Sequence, residues 1–357
     1  MRRRSSCRLL SLLIRFVRAV LARAQQSVRS KRTFEHRRQI EQMSRDIILA
    51  FDVGGTQIKA AAMRDGEIIA STALHYDSRS ELEADAIIAH FVDIAVDVLG
   101  RGGLTEESIS GFGLAFPGPF DYERGICLIQ GLGKFESLYG LNIGDMLSEA
   151  IRSHGQLGRR LSPEFRIVFE NDAALFGLGE SNGGGEAFGV ERAVCLTIGT
   201  GLGSCYLERG QLVKHRDGVP ENGWLYAEPY GNRMADECIS RRGLLHLAEE
   251  MGMELAGRDV RELADAAASG DADAVQLFDH FGRRMAVILV PAFEAYEPNR
   301  IVLGGQISKS AGLFAPAFKE VLLAQGIIAQ VRVSAGTFAS TFRGIYHLVI
   351  QSRTVDQ

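Results

Sequence analysis

A chain of 357 residues exceeds what one hydrophobic core usually organises, so two domains are expected. With 46% hydrophobic residues, 40 Gly and only 8 Pro, the composition suits α/β turns and excludes a disordered chain. The formal charge of −4 is unevenly spread. Residues 1–45 carry 13 Lys+Arg against Glu35 and Glu41, a net of +11 that leaves about −15 for residues 46–357. An acidic body argues against nucleic acid as the main partner.

The basic head, Met1–Arg45, joins Arg2-Arg3-Arg4 to an apolar stripe (Leu9, Leu10, Leu12, Leu13, Ile14, Phe16, Val17). It reads as a membrane-surface helix, as an organelle-targeting segment, or as a stretch outside the functional protein. Arg15 and Arg18 interrupt the stripe, so it cannot span a bilayer. Met43, just before the first core strand, makes a natural start, and the third reading is the one adopted. Five cysteines, Cys7, Cys127, Cys195, Cys205 and Cys238, form no CxxC or CxC pair. They read as small core residues in a reduced, cytoplasmic compartment, and no zinc site can be assembled from sequence neighbours.

Ile47–Phe51 is an apolar run too short for a helix and reads as a buried strand. It leads into Asp52-Val-Gly-Gly-Thr-Gln-Ile-Lys59, then a second strand over 58–63, a turn at Asp65-Gly66 and a third strand over 67–70. A strand-end acid followed by an uncluttered glycine turn suits a phosphate chain carrying a metal ion; an ordinary hairpin is the competing reading. Glu81–Leu99 has helical apolar spacing and ends at Gly100-Arg-Gly-Gly103. A strand over 109–116 runs into Pro117-Gly118-Pro119, residues 121–140 read as loop, and Asn142 caps a helix through Ile151. Arg166–Phe169 is a short strand that delivers Glu170-Asn171-Asp172 to a small-residue helix over 173–180.

Residues 193–213 repeat the opening plan: strand, Gly199-Thr-Gly-Leu-Gly203 turn, strand, turn at Arg209-Gly210, short strand. Two glycine hairpins in two halves of one chain point to a duplicated domain with a ligand clamped between the copies, and move the reading towards phosphate binding. An irregular stretch over 214–234 holds Glu221 and the single tryptophan, Trp224. Helices are predicted over 235–252, 258–269 and 271–294, a buried strand over 300–303 ending at Gly304-Gly305, then helix 314–324, strand 327–333 and a closing helix over 341–350. The alternation specifies a mixed α/β fold.

Asp172 stands where a strand ends and a helix begins, where a carboxylate can take a proton from a substrate hydroxyl, or equally cap its helix. Asn171 can donate and accept, which suits fixing a neighbouring hydroxyl. Glu221 and Glu237 could bind adjacent sugar hydroxyls; for Glu237 the first turn of a helix is the alternative. Gly304-Gly305 suits close approach to a base or ribose, or a simple tight turn.

Taken in order, Asp52-x-Gly-Gly-Thr, Pro117-Gly118, Glu170-Asn-Asp-Ala, Gly199-Thr-Gly-x-Gly and Leu303-Gly-Gly resemble the ROK family of repressors, open reading frames and sugar kinases, over residues 46–350. The resemblance implies duplicated actin-like, ribonuclease-H-like ATPase domains with a central cleft, closing over MgATP and a hexose. The N-terminal domain is expected over 46–165 plus 340–357 and the C-terminal one over 166–339. By position Asp172 corresponds to the catalytic base, and Asn171, Glu221, Glu237 and Gly118 to sugar-binding residues. Asp52, Gly54, Gly55, Thr56 and Lys59 fall on the first phosphate motif, Thr200 and Gly201 on the second, Gly304 and Gly305 on the adenosine motif. Mg²⁺ is expected at Asp52 through water or phosphate.

The departures are specific. Trp224 holds the place of the family's sugar-contacting, zinc-ligating His, and residues 225–235 replace its Cys-rich zinc loop, so no zinc is expected. Trp224 either stacks on a sugar ring or plugs the vacated space, and a lone tryptophan in an irregular loop favours the plug. Near Gly131–Tyr139 the family's Asn-Leu-x-x-Trp gives way to Lys134 and Tyr139. The reading is therefore a cytoplasmic, glucokinase-like enzyme phosphorylating a primary hydroxyl of a hexose with ATP, compatible with a homodimer. The alternatives are a sugar-sensing regulator without catalysis and a kinase using polyphosphate as donor.

Overall fold

The computed structural model describes residues 46–354; the basic head and its Met43 lie outside them. β1 (Asp46–Val53) is buried along nearly its whole length, as a continuous apolar run requires. β2 (Gln57–Arg64) returns antiparallel to it and sets Lys59 opposite Asp52. After the turn at Asp65-Gly66 come β3 (Glu67–Ile68) and, past a short 3-10 turn, β4 (Leu74–Asp77), which pairs with the start of β2. The strand predicted over 67–70 stops early because the buried Thr72 hydroxyl donates to Ile69 O (2.6 Å) and accepts from Ala62 N (2.9 Å), bending the chain.

α1 (Ala84–Arg101) lays Ile87, Phe91, Ile94 and Val98 against this sheet. β5 (Ser108–Ala115) follows, then the small ribbon of β6 (Phe120–Asp121) and β7 (Ile126–Cys127), and α2 (Ile143–Ser153). Asn142 caps α2, its side chain accepting from Asp145 N at 3.0 Å. β8 (Leu161–Glu170) runs parallel to β5, giving the order β3-β2-β1-β5-β8 with β4 on β2. The strand containing Arg166–Phe169 thus belongs to the first sheet, and the second sheet begins only beyond Glu170.

α3 (Asp172–Glu180) leads to β9 (Arg192–Ile198), β10 (Leu202–Glu208) and β11 (Gln211–Val213), again an antiparallel run through a glycine turn. The ribbon of β12 (Pro229–Tyr230) and β13 (Arg233–Met234) precedes α4 (Ala235–Cys238) and α5 (Arg241–Glu250). A single helix is predicted over 235–252, but Ile239 leaves helical geometry and Ser240 caps α5, accepting from Gly243 N. α6 (Val260–Ala268), α7 (Ala272–Tyr296), β14 (Arg300–Gly304), α8 (Ala311–Ala324), β15 (Gln330–Val333) and α9 (Thr337–Thr354) complete the fold. The second sheet has the order β11-β10-β9-β14-β15, with β9, β14 and β15 parallel. Both sheets therefore pass from a glycine-turned hairpin into added strands by the same route.

α3 and α9 form a layer between the sheets. One core cluster joins Ala50, Ala61 and Met63 of the first sheet to Cys195, Cys205 and Val302 of the second through Leu175, Phe176, Phe342 and Ile345. The two helices cross at glycines. A Cβ on Gly179 would lie 1.7 Å from Ser340 O, and one on Gly344 1.8 Å from Leu175 O. At the far end of α3 the buried Glu180 carboxylate accepts from the hydroxyls of Ser334 (2.5 Å) and Ser340 (2.6 Å) and from Glu186 N (2.8 Å). Both oxygens of this buried carboxylate thus have partners, as burial demands.

Candidate active site

A cleft of about 960 Å³ is lined by Asp52 and Lys59 of the first hairpin, Asn171 and Asp172 at the start of α3, Gly199–Leu202 of the second glycine turn, and Gly305, Thr337 and Phe338. These come from β1, β2, α3, the β9–β10 turn and the start of α9, elements scattered over nearly 290 residues of chain.

β8 ends by placing Asn171 as the cap of α3: its side-chain oxygen accepts from Ala173 N (3.0 Å) and Ala174 N (3.4 Å). The cap role weighed for Asp172 is thus carried by Asn171. Asp172 is the first helical residue, its carboxylate accepting from Ala173 N at 2.9 Å and open to the cleft. Enclosure by protein raises the Asp172 carboxyl above the usual range, and the nearby Asp52 raises it further; the Ala173 N–H and the Lys59 ammonium oppose both. A base held closer to neutrality than a free aspartate suits removal of a hydroxyl proton. Behind it, Glu170 accepts from Asn171 N (2.8 Å) and from Lys214 Nζ (2.6 Å), while the Tyr122 hydroxyl donates to Phe116 O.

At the first turn Asp52 and Lys59 form an ion pair of 2.8 Å across the hairpin, with Lys59 Nζ 6.0 Å from the Phe338 ring centre. Gly54, Gly55 and Thr56 lie beside the cleft without lining it. Gly54 N is bonded to Gln57 O, Gly55 O accepts from the Ser80 hydroxyl, and a Cβ on Gly55 would meet Lys134 Cδ at 2.7 Å. At the second turn a Cβ on Gly199 would enter open space, so the absence of a side chain there keeps the backbone approachable from the cleft. The turn is held by Arg241 N donating to Gly199 O (2.8 Å), and by Asp236 accepting from Leu202 N (2.7 Å) and from Arg242 (2.7 Å). Gly118 lines the cleft, and its peptide with Pro119 is cis. Gly305 lines it too, in left-handed geometry (φ 86°), its N–H bonded to Thr337 Oγ1. Gly304 does not; a Cβ there would strike the Phe176 ring.

Glu221 and Glu237 are exposed and outside the cleft lining. Glu221 opens a short 3-10 turn, and Glu237 accepts from Met234 N (2.8 Å), closing the first turn of α4. The cleft instead takes Asp236, one residue earlier. Adjacent helical side chains point about 100° apart, and spacing alone could not choose between the two acids. His75, Thr197 and Thr341 also line the cleft and carried no motif that would have marked them. Trp224, favoured as a plug, is half-buried and lines the cleft beside Tyr226.

Among the described residues no group of three or more His, Cys, Asp and Glu could hold a metal ion. A phosphate-borne Mg²⁺ asks for less, keeping several waters and taking one or two carboxylates, which Asp52 on the cleft lining can supply. Among the described residues no helix is long and apolar enough to cross a membrane.

Residues 48–338 match the ROK family. A glucokinase of Thermotoga maritima is 26% identical over 297 residues, covering 77% of this chain and 87% of that protein. The crystal structure of a glucokinase from Parabacteroides distasonis superposes with a TM-score of 0.71 at 20% identity, over 86% of this chain and 98% of that one. A ROK family glucokinase from Streptomyces griseus, solved in complex with glucose and AMPPNP, superposes at 0.61 with 20% identity, over 85% of this chain and 99% of that one. The fold is that of the duplicated actin-like ATPases.

Proposed function

We propose, for a chain that belongs to the ROK family, that it is a sugar kinase transferring the γ-phosphoryl group of ATP to a primary hydroxyl of a hexose. The observation that carries the reading is Asp172: a carboxylate open to the cleft, raised above its ordinary range, at a helix start between two glycine turns. In this mechanism Asp172 accepts the proton of the attacking hydroxyl, and Asn171 and Gly118 face the sugar. The turn at Gly199–Gly201 offers backbone donors to the phosphates, while Gly305 and Thr337 mark the nucleoside end. Bound Mg²⁺, held through Asp52, would offset charge on the phosphates. The reading divides the body into two lobes, expected over 46–165 plus 340–357 and 166–339, with β8 keeping residues 166–170 in the first; their approach would exclude water from the transfer.

Asp172→Asn keeps the shape of the side chain and removes the base. Turnover should fall by roughly two to four orders of magnitude, with sugar affinity by calorimetry nearly unchanged. A variant retaining more than a tenth of wild-type kcat in a coupled ADP-release assay would sink the assignment.

A further inference from the structure

Lys214 belongs to none of the motifs that marked the cleft, yet its ammonium reaches the residue next to the cap of α3. Lys214 follows β11, an edge strand of the second sheet, while Glu170 closes β8, an edge strand of the first. Their side chains meet at 2.6 Å. Tyr122, just past β6, completes the socket, its ring centre 5.7 Å from Lys214 Nζ and so within reach of a cation–π attraction. A cation carried by the second sheet is thus seated among residues of the first half of the chain.

Glu170 is held at three points. Its backbone oxygen accepts from Phe116 N (3.0 Å), one carboxylate oxygen from Asn171 N (2.8 Å) and the other from Lys214. The Tyr122 hydroxyl donates to Phe116 O (3.0 Å), so the socket is itself braced. Asn171 caps α3, and Asp172 opens it. The carboxylate that Lys214 grips is therefore one hydrogen bond from the start of the helix that bears the proposed base.

Neither Lys214 nor Glu170 lines the cleft, so their role there is to set the path by which Asn171 and Asp172 enter it. Glu170 is only 5% exposed. Desolvation takes back most of what such a pair gains, whereas removing one partner leaves the other charge buried and uncompensated. The pair fixes a direction more than it adds stability. Lys214 also ends the β9–β10–β11 run, whose first turn holds Gly199, Thr200 and Gly201. One rigid run of strands thereby carries both the second glycine turn and the cation that holds the root of α3.

We propose that Lys214 is a positioning residue for phosphoryl transfer: through Glu170 and the Asn171 amide it registers Asp172 against the turn that receives the phosphates. This rests on the kinase reading above. In-line transfer needs the base and the phosphate turn at a fixed separation, and they stand on different sheets.

Lys214→Met keeps most of the side chain's length and removes its charge, while Lys214→Arg keeps the charge. In the coupled ADP-release assay, kcat of Lys214→Met should fall by roughly tenfold or more, since a misplacement of about 1 Å costs on the order of a hundredfold. Hexose affinity by calorimetry should stay within about twofold, and Lys214→Arg should recover most of kcat. Combining Glu170→Gln with Lys214→Met should slow the enzyme no further than Lys214→Met does, because both act through one contact. Hydrogen exchange at the Asn171, Ala173 and Ala174 amides reads the tether without any substrate. It should quicken in Lys214→Met and return towards wild type in Lys214→Arg. A Lys214→Met enzyme with kcat within about twofold of wild type, losses that multiply in the double variant, or unchanged exchange overturns the inference. Faster exchange in Lys214→Met that Lys214→Arg reverses, in a protein that phosphorylates no hexose, upholds the tether and overturns the kinase reading instead.

Discussion

Replacing Gly344 of α9 by alanine adds one methyl group where α9 crosses α3. The new carbon would stand 1.8 Å from Leu175 O, against an ordinary contact that begins at 3.4 Å, so the helices must part by about 1.6 Å. Helix propensity favours alanine over glycine by roughly 1 kcal/mol, but overpacking a filled seam costs typically 1–3 kcal/mol and at times more. The seam is ill suited to relax. Gly179 approaches Ser340 O from the other side, and Glu180 fastens the same helices through Ser334 and Ser340. A net loss of about 2 kcal/mol is expected, a fall in Tm of roughly 3 °C for a body of this size. Leu175 lies one turn below Asp172, so the same displacement moves the base, and a misplacement of about 1 Å costs on the order of a hundredfold in kcat. Differential scanning calorimetry and the coupled ADP-release assay read the two effects. Gly100→Ala is the control, since a Cβ there meets nothing within 4 Å. A Gly344→Ala protein melting within 1 °C of wild type, with kcat within twofold, refutes the reasoning.

The acid limb of the kcat/KM–pH profile reports Asp172. Lys59→Met removes the ammonium that holds its carboxyl down and should move the limb to higher pH, whereas Asp52→Asn removes a charge that pushes it up and should move it lower. Two shifts of the same sign would contradict this electrostatic picture. Since the Asp172 carboxyl is raised on folding, its contribution to stability is fully present below the unfolded carboxylate range and is lost as pH rises through the folded one. Asp172→Asn should therefore raise Tm at neutral pH while abolishing turnover, and a lower Tm at that pH would count against it. Glu237→Gln keeps an acceptor for Met234 N but loses a charge at a helix N-terminus. It should lower stability by less than about 1 kcal/mol and leave the hexose KM within twofold; a tenfold rise in KM would return Glu237 to the sugar.

Local patterns carried a large part of this protein. The run Ile47–Phe51, the glycine turns after Asp52 and Ile198, and the cap at Asn142 each state their structure within a few residues, because strand burial, turn geometry and capping are short-range effects. The repeated hairpin announced two sheets built alike, and the order of motifs announced the family. What spacing could not supply was direction. Ser240 breaks a helix that apolar periodicity alone would continue, and Asp236 rather than Glu237 meets the cleft because of where the short α4 is anchored. β8 joins the first sheet although α3, its immediate continuation, lies between the two, a choice made by parallel pairing with a strand some fifty residues earlier. The chain thus specified by itself its strands, its turns and its acid at the head of a helix. Only the packing of α3 against α9 and β10 decided which side chains share the cleft, because that depends on contacts between residues more than a hundred positions apart, down to one glycine beneath one carbonyl.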